Sequence, residues 1–217
     1  YLRPAIQGDL RGCFCLTEPQ AGSDAANLRT RIEPRGNGYV INGTKQFISS
    51  GATADIALIF GVTNPEAGKK GITAAIALTS SSGYKVISRE KKLGQRASDT
   101  CQLSFDALEI PPEMILGELG EGYRIALGNL EGGRIGIAAQ ALGIARAAFE
   151  AALDYAQERE SMGRPIIQHQ AVAFRLADMA TKIEVARQMI WHAASLKDAG
   201  RPALKEASMA KLYASEM

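Results

Sequence analysis

Cysteine and histidine are scarce in this 217-residue chain: Cys13, Cys15 and Cys101 are the three thiols, His169 and His192 the two imidazoles. An odd cysteine count without zinc spacing argues against a disulfide framework. Histidines that lack a ligand partner four residues away offer no metal centre. Reduced, buried thiols in a reducing compartment are expected instead. Aromatics make up 6% of the chain and the formal charge is only +2. No basic surface interleaved with aromatics is available for nucleic acid, and none for an anionic membrane. There is no signal peptide and no uninterrupted apolar stretch of spanning length. No nucleophile-elbow motif occurs. Gly117-Glu118-Leu119-Gly120-Glu121-Gly122 is glycine-rich but lacks the strand, glycine, helix order of a dinucleotide fingerprint.

What remains is a globular composition, 46% hydrophobic and 22% charged. The length suffices for one large domain or two modest ones. The chain starts at Tyr1 and ends at Ser215-Glu216-Met217 inside a helical pattern with no stop signal, so it reads as an internal segment of a longer protein.

The organising stretch is 13–24, Cys13-Phe14-Cys15-Leu16-Thr17-Glu18-Pro19-Gln20-Ala21-Gly22-Ser23-Asp24. An apolar run ends at Thr17 and Glu18, and Pro19, without an amide proton, forces a turn. Gly22 permits tight backbone, and Ser23 or Asp24 is placed to cap a short helix near Ala25. The stretch suits either an ordinary turn or a loop that presents amides and hydroxyls to a flat anionic ligand.

Residues 29–110 read as β. Arg29–Glu33 and Tyr39–Ile41 flank a turn at 34–38, and Asn42-Gly43 is a two-residue hairpin signal returning through Thr44–Ser49. Further strands are expected at Asp55–Val62, Ile72–Thr79, Tyr84–Arg89 and Cys101–Asp106, with Pro111-Pro112 ending the sheet. Beyond Gly117 the period becomes helical: Tyr123–Glu158, a break at Gly163-Arg164-Pro165, Gln168–Ala199, a stop at Gly200-Arg201-Pro202, then Ala203–Met217. The expected fold is α+β. An antiparallel β-sandwich or barrel-like domain (1–116) precedes long antiparallel helices of an incomplete bundle (117–217). Gly128, Gly132, Gly133, Gly136 and Gly143 inside the first long helix point to close helix packing or to a bulky ligand.

Five blocks recur in an order that resembles the acyl-CoA dehydrogenase family. They are Leu16-Thr17-Glu18 with Gly22-Ser23-Asp24; Asn42-Gly43-Thr44-Lys45-Gln46-Phe47-Ile48-Ser49; Leu93-Gly94-Gln95-Arg96-Ala97-Ser98-Asp99-Thr100; Leu130-Glu131-Gly132-Gly133-Arg134; and Glu158-Arg159-Glu160-Ser161-Met162-Gly163. The resemblance implies that 1–116 is the middle β domain and 117–217 the first part of the C-terminal helical domain. It also implies that Phe14, Cys15, Leu16, Thr17, Ser23, Phe47, Ile48 and Ser49 border FAD, with Phe47 where the family often has Trp. Read without it, Phe47 is a core aromatic on a strand. Arg159 and Gln170 would reach the FAD of a neighbouring subunit, although a lone Arg after a helix is ordinarily a solvated charge. Ser23, Glu131 and Arg134 would face acyl-CoA; alternatively Arg134 is a rim cation or a paired buried charge.

One subgroup of the family places its catalytic Glu just before that Arg; here the position is Gly133, so no catalytic residue is expected in this chain. The tail after Leu196 is most similar to short-chain or butyryl-CoA dehydrogenases. The implied activity is oxidation of an acyl-CoA to trans-2-enoyl-CoA with electrons passed to an electron-transfer flavoprotein. The chain by itself is expected to be inactive. The implied assembly is a homo-tetramer or dimer, in bacterial cytoplasm or mitochondrial matrix. The competing readings are an acyl-CoA oxidase or flavin monooxygenase on the same fold, and a non-catalytic interaction module.

Overall fold

The computed structural model describes residues 1–217. The elements are α1 (Leu2–Gln7), β1 (Gly12–Cys15), β2 (Arg31–Arg35), β3 (Gly38–Ser49), β4 (Ile56–Val62), β5 (Ile72–Leu78), β6 (Tyr84–Arg89), β7 (Thr100–Ile110), β8 (Ile115–Leu116), α2 (Gly122–Glu158), β9 (Glu160–Ser161), β10 (Arg164–Pro165), α3 (Gln170–Asp198) and α4 (Leu204–Glu216). They divide into two compact units, Tyr1–Leu127 and Gly128–Met217.

The first unit is one curved sheet in the order β6-β7-β3-β2-β4-β5-β8, with β1 added beside β4. Most ladders are antiparallel. Two are parallel: β1 covers the first half of one β4 edge from Gly12↔Ile56 to Cys15↔Ile59, and β2 meets its end at Arg31↔Val62. Two apolar clusters fill the sheet's faces. One gathers Cys13, Cys15, Ile32, Ile41, Ile59 and Leu103, the other Leu16, Leu28, Phe60, Ile72 and Ala126. Each large side chain buried this way stabilises the unit by roughly 1.5–3 kcal/mol.

Several sequence expectations need correction. Asn42-Gly43 is not a turn but lies inside β3, a single twelve-residue strand. The two-residue hairpin is Gly36-Asn37, with Gly36 at φ 58° joining β2 to β3. Asn42 instead accepts the Ala107 amide at 2.8 Å, capping a bulge on β7. Gly43 is required because its Cα lies under Thr30, where a Cβ would overlap the Thr30 side chain. A second bulge, between Lys45 and Ile48, puts an extra residue into β3. No helix follows Ser23-Asp24; the chain makes a turn in which the Asn27 amide donates to the Asp24 carbonyl. Pro111-Pro112 does not end the sheet, because β8 beyond it pairs with β5. The β1–β4 and β2–β4 pairings were not visible in the sequence, which showed strands but not their partners.

Gly117–Gly122 forms a turn pressed onto β5. The Gly120 amide donates to Thr73 Oγ1 at 3.0 Å, and a Cβ on Gly122 would meet the Thr73–Ala74 backbone at 2.5 Å. This glycine cluster serves close approach to the sheet.

The second unit contains the rest of α2 together with α3 and α4. Ala138 of α2, Ala186 and Ile190 of α3, and Ala210 and Ala214 of α4 form its apolar cluster. Further along, Phe149 of α2 shares an apolar groove of about 530 Å³ with Met179 and Ile183 of α3, so α2 and α3 run antiparallel. By length and composition α2 is apolar enough to cross a membrane, contrary to the sequence expectation. Alanines with scattered Ile and Leu raise its hydropathy without a run of large apolar residues, while Glu131, Arg134, Arg146 and Glu150 interrupt it and Ala138 packs against the neighbouring helices.

Candidate functional site

The loop after β1 and the bulged end of β3 lie together. The Gln46 amide donates to the Thr17 carbonyl at 2.8 Å, which sets Thr17 beside Phe47. The neighbouring residues divide by role. Cys15 and Ile48 are core side chains, and Leu16 is buried in the other cluster. Half-buried Phe14 packs against Phe60 in a tilted pair with ring centroids 4.8 Å apart. Only backbone groups of Cys15, Leu16 and Ile48 are therefore available to a ligand, while Thr17 is half-buried and Ser23 and Ser49 are exposed.

Phe47 is the outlier. It is 62% exposed and sits at φ 57°. Strict alternation along β3 puts residue 47 on the same inward face as Ile41 and Lys45. The extra residue in the bulge inverts the order, so Phe47 points out and Ile48 in. The core-aromatic reading of Phe47 is thereby corrected.

Beneath this surface Glu18 and Lys45 form a buried ion pair, Nζ to Oε1 at 2.8 Å. Lys45 is fully buried and Glu18 is 3% exposed. Lys45 also donates to the Leu16 carbonyl at 3.0 Å and to the Phe60 carbonyl at 2.6 Å, using all three ammonium protons. Glu18 accepts the Arg29 and Thr30 amides and the Gln20 side chain as well. Burial pushes the Glu18 carboxyl up, but the Lys45 charge and these hydrogen bonds outweigh it and hold the group below its ordinary range. Asp99 occupies the far side of the bulge. Its carboxylate accepts the Ala52 amide and the Thr53 hydroxyl, each at 2.9 Å. Burial opposes ionisation there, and the hydrogen bonds prevail, so Asp99 also lies below its ordinary range. Sequence reasoning missed the roles of Glu18, Lys45 and Asp99. All three stand inside the quoted blocks, but a contact across 27 residues leaves no local signal.

The three thiols are free and buried, as the sequence suggested. Burial lifts Cys15 well above the ordinary thiol range, and Cys101 rises to about 11 through burial and its bond to Asp99. Arg89, Lys91, Lys92 and Arg96, around and within the third block, line a surface groove of about 640 Å³ with exposed Leu93.

In the helical unit, Glu131 is half-buried and Arg134 exposed. Gly128, Gly133, Gly136 and Gly143 have no atom within 4 Å of a hypothetical Cβ, while Gly132 faces Lys197. Close packing within the chain thus explains at most one of the five. Arg159 and Gln170, both exposed, flank the β9–β10 hairpin. His169, set aside above only as a metal ligand, ties that hairpin together: its Nδ1 pairs with Arg164 at 3.2 Å and its Nε2 with the Ser161 carbonyl at 3.0 Å. No local pattern marked it, because both partners come from a hairpin whose register the sequence does not state.

Comparison with known proteins covers both units. Residues 13–108 match the family model for the acyl-CoA dehydrogenase middle domain, and residues 120–217 the one for the C-terminal domain. An acyl-CoA dehydrogenase of Bacillus subtilis (strain 168) is 49% identical over all of this chain, which spans 57% of that protein. The structure of butyryl-CoA dehydrogenase from Megasphaera elsdenii is 41% identical with a TM-score of 0.97, over all of this chain and 57% of that one. A structure described as an electron transferring flavoprotein of Acidaminococcus fermentans, in work on flavin-based electron bifurcation, contains a chain that is 46% identical. It has a TM-score of 0.97 over the same shares. The chain spans little more than half the length of these relatives. Two models of one family, in the family's order and covering nearly every residue, leave one conclusion: this chain belongs to the acyl-CoA dehydrogenase family.

Proposed function

We propose that residues 1–116 act as a middle β domain that binds FAD and acyl-CoA, and 117–217 as part of a C-terminal helical domain. The whole protein then oxidises a short-chain acyl-CoA to its trans-2-enoyl-CoA. The observation that carries this reading is the exposed Phe47 at positive φ, between the Thr17 and Ser49 positions. An apolar ring held outward, with hydroxyls at its sides, fits the face and polar edge of a flavin.

In this reading Phe47 covers one face of the ring system. Thr17 and Ser49 donate hydrogen bonds to its edge, and backbone groups of Phe14, Cys15, Leu16 and Ile48 complete the border. Ser23 lies at the mouth of the acyl-CoA channel, with Glu131 and Arg134 on the substrate side. Arg159, whose fork can bond two oxygens at once, and Gln170 hold the diphosphate side of the FAD of a neighbouring copy. FAD, when bound, supplies a hydride acceptor for the substrate's β-carbon. The α-proton needs a carboxylate base, and Gly133 provides none, so the base belongs to a segment outside these residues. Electrons then pass to an electron-transfer flavoprotein, in bacterial cytoplasm or mitochondrial matrix, and the enzyme works as a homo-tetramer or dimer.

The test is anaerobic titration of the FAD-loaded, full-length protein with butyryl-CoA. Bleaching of the visible flavin band, with turnover restored by an artificial electron acceptor, is the expected result. Retained colour would overturn the substrate assignment, and oxygen consumption in place of acceptor reduction would indicate an oxidase. Arg159→Ala should weaken FAD retention on gel filtration more than it changes chain-length preference.

A further inference from the structure

Phe47 at φ 57° and Ser50 at φ 59° are two non-glycine residues in the left-handed region, three positions apart. Such conformations persist only where the surroundings over-determine them, and they cluster at sites where shape has a function. Here the surroundings can be named. On one side Lys45, two residues before Phe47, is locked by the Leu16 and Phe60 carbonyls and by Glu18. Glu18 in turn holds the Arg29 and Thr30 amides, so the loop before Pro19 and the strand before Phe47 share one anchor. On the other side the Ser50 amide donates to the Asp99 carbonyl at 3.0 Å, and the Asp99 carboxylate holds Ala52 and Thr53. Between the anchors, Gln46 bonds to Thr17 through its backbone and to Glu90 through its side chain at 2.8 Å. The segment 47–50 is thus clamped at both ends by charged groups, the buried Glu18–Lys45 pair on one side and half-buried Asp99 on the other.

We propose that Glu18, Lys45 and Asp99 are positioning residues that hold Phe47–Ser50 in its ligand-ready shape before the cofactor arrives. This rests on the flavin reading above. Pre-set geometry spares the bound state the cost of ordering the loop. The Lys45 ammonium ties β3 to the Leu16 and Glu18 side of the site, while Asp99 holds the side beyond Ser49.

The experiment uses the full-length protein with FAD removed and re-added. The variants are E18Q/K45M, which removes both buried charges at similar volume, and Asp99→Ala, which leaves no buried charge unpaired. FAD affinity, the visible circular dichroism of bound FAD and the melting temperature are measured on each. The expected result for E18Q/K45M is roughly ten-fold weaker FAD binding, the low end of what losing outer support costs a bound group. An altered flavin dichroism should accompany it in a protein that still melts cooperatively. Asp99→Ala should show the same signature, and Asp99→Asn, which keeps a carbonyl acceptor, should recover part of it. Unchanged FAD affinity and dichroism would overturn the proposal, whatever the melting temperature does. Asp99→Ala alone decides if the double variant does not fold. A wild-type protein that binds no FAD would overturn the flavin reading itself, a result distinct from variants that match a flavin-binding wild type.

Discussion

Phe60, Ile32, Ile41, Ile59 and Lys45 are fully buried in the sheet unit, whereas the fully buried residues of the helical unit are Ala138, Ala186, Ala193, Ala207 and Ala210. In the helical unit Leu176, Ile183 and Ile190 are buried, but several large apolar side chains lie outside: Phe174 is 62% exposed, Trp191 60% and Ile144 58%. The sheet unit is held by the identity of its interior side chains, including two charges. The helical unit is held by how closely small side chains let its helices approach. Residues of the family blocks therefore behave differently in the two. In the sheet unit most of them have partners within the chain. In the helical unit Arg134, Arg159 and Gln170 face outward.

The largest test of this contrast is Lys45→Met. Stranding the Glu18 carboxylate in the core should cost about 3–5 kcal/mol in urea denaturation, while E18Q/K45M, which loses the bonds to the Leu16 and Phe60 carbonyls but strands no charge, should cost clearly less. Equal losses in the single and double variants would mean that the charges are not paired in the folded protein.

Next comes the alanine core. Ala138→Leu should overpack the helical cluster and cost about 1–3 kcal/mol, whereas Trp191→Ala should change stability by less than about 0.5 kcal/mol. The reverse ranking, read by far-ultraviolet circular dichroism during unfolding, would break the description of the helical unit.

Acid should single out the sheet unit through Glu18. A carboxyl held below its ordinary value stabilises the fold above that value and ceases to do so as pH falls through the depressed folded value. The wild-type urea midpoint should hold down to about pH 4.5, the ordinary value for Glu18, and drop below it. E18Q/K45M should show a shallower fall, and parallel curves would remove Glu18 from the account.

The smallest expected effect is Phe47→Ala. An exposed ring should cost less than about 0.5 kcal/mol, against about 3–5 kcal/mol for a core aromatic. The visible spectrum of bound FAD should nevertheless shift.

Strand and helix positions were legible in the sequence where one signal dominated. Tyr84–Arg89 matched its strand residue for residue, and the three long helices began and ended within about two residues of expectation. Asn42-Gly43 misled because the pair satisfies a type I′ turn locally. Only the neighbouring strand, with its bulge at Ala107 and the Thr30 backbone beneath Gly43, keeps it extended. The orientation of Phe47 was illegible for a related reason: alternation assumes an unbroken pleat, and nothing local announces an extra residue. The five blocks contain both the loop after β1 and the bulged end of β3, which the Gln46–Thr17 bond joins. They did not separate half-buried Thr17 and exposed Ser49 from Glu18 and Lys45, which hold the loop from within the core, or from half-buried Asp99, whose contacts span 46 and 47 residues.

The two bulges along β3 and β7 have opposite signs. The one at Ala107 adds a residue to β7 and displaces the ladder by one position; the one after Lys45 adds a residue to β3 and restores it. Together they bound a dislocation that contains only Gly43, Thr44 and Lys45 on the β3 side. Such defects annihilate or persist as a pair. Deleting Ala107 alone, or Phe47 alone, would leave one step without its opposite. Every rung between that step and a strand end would then present its other face, and apolar side chains would turn toward water. Changes of chain length here are therefore admissible only in matched pairs across the two strands, and the matched deletion would erase the step that turns residue 47 outward.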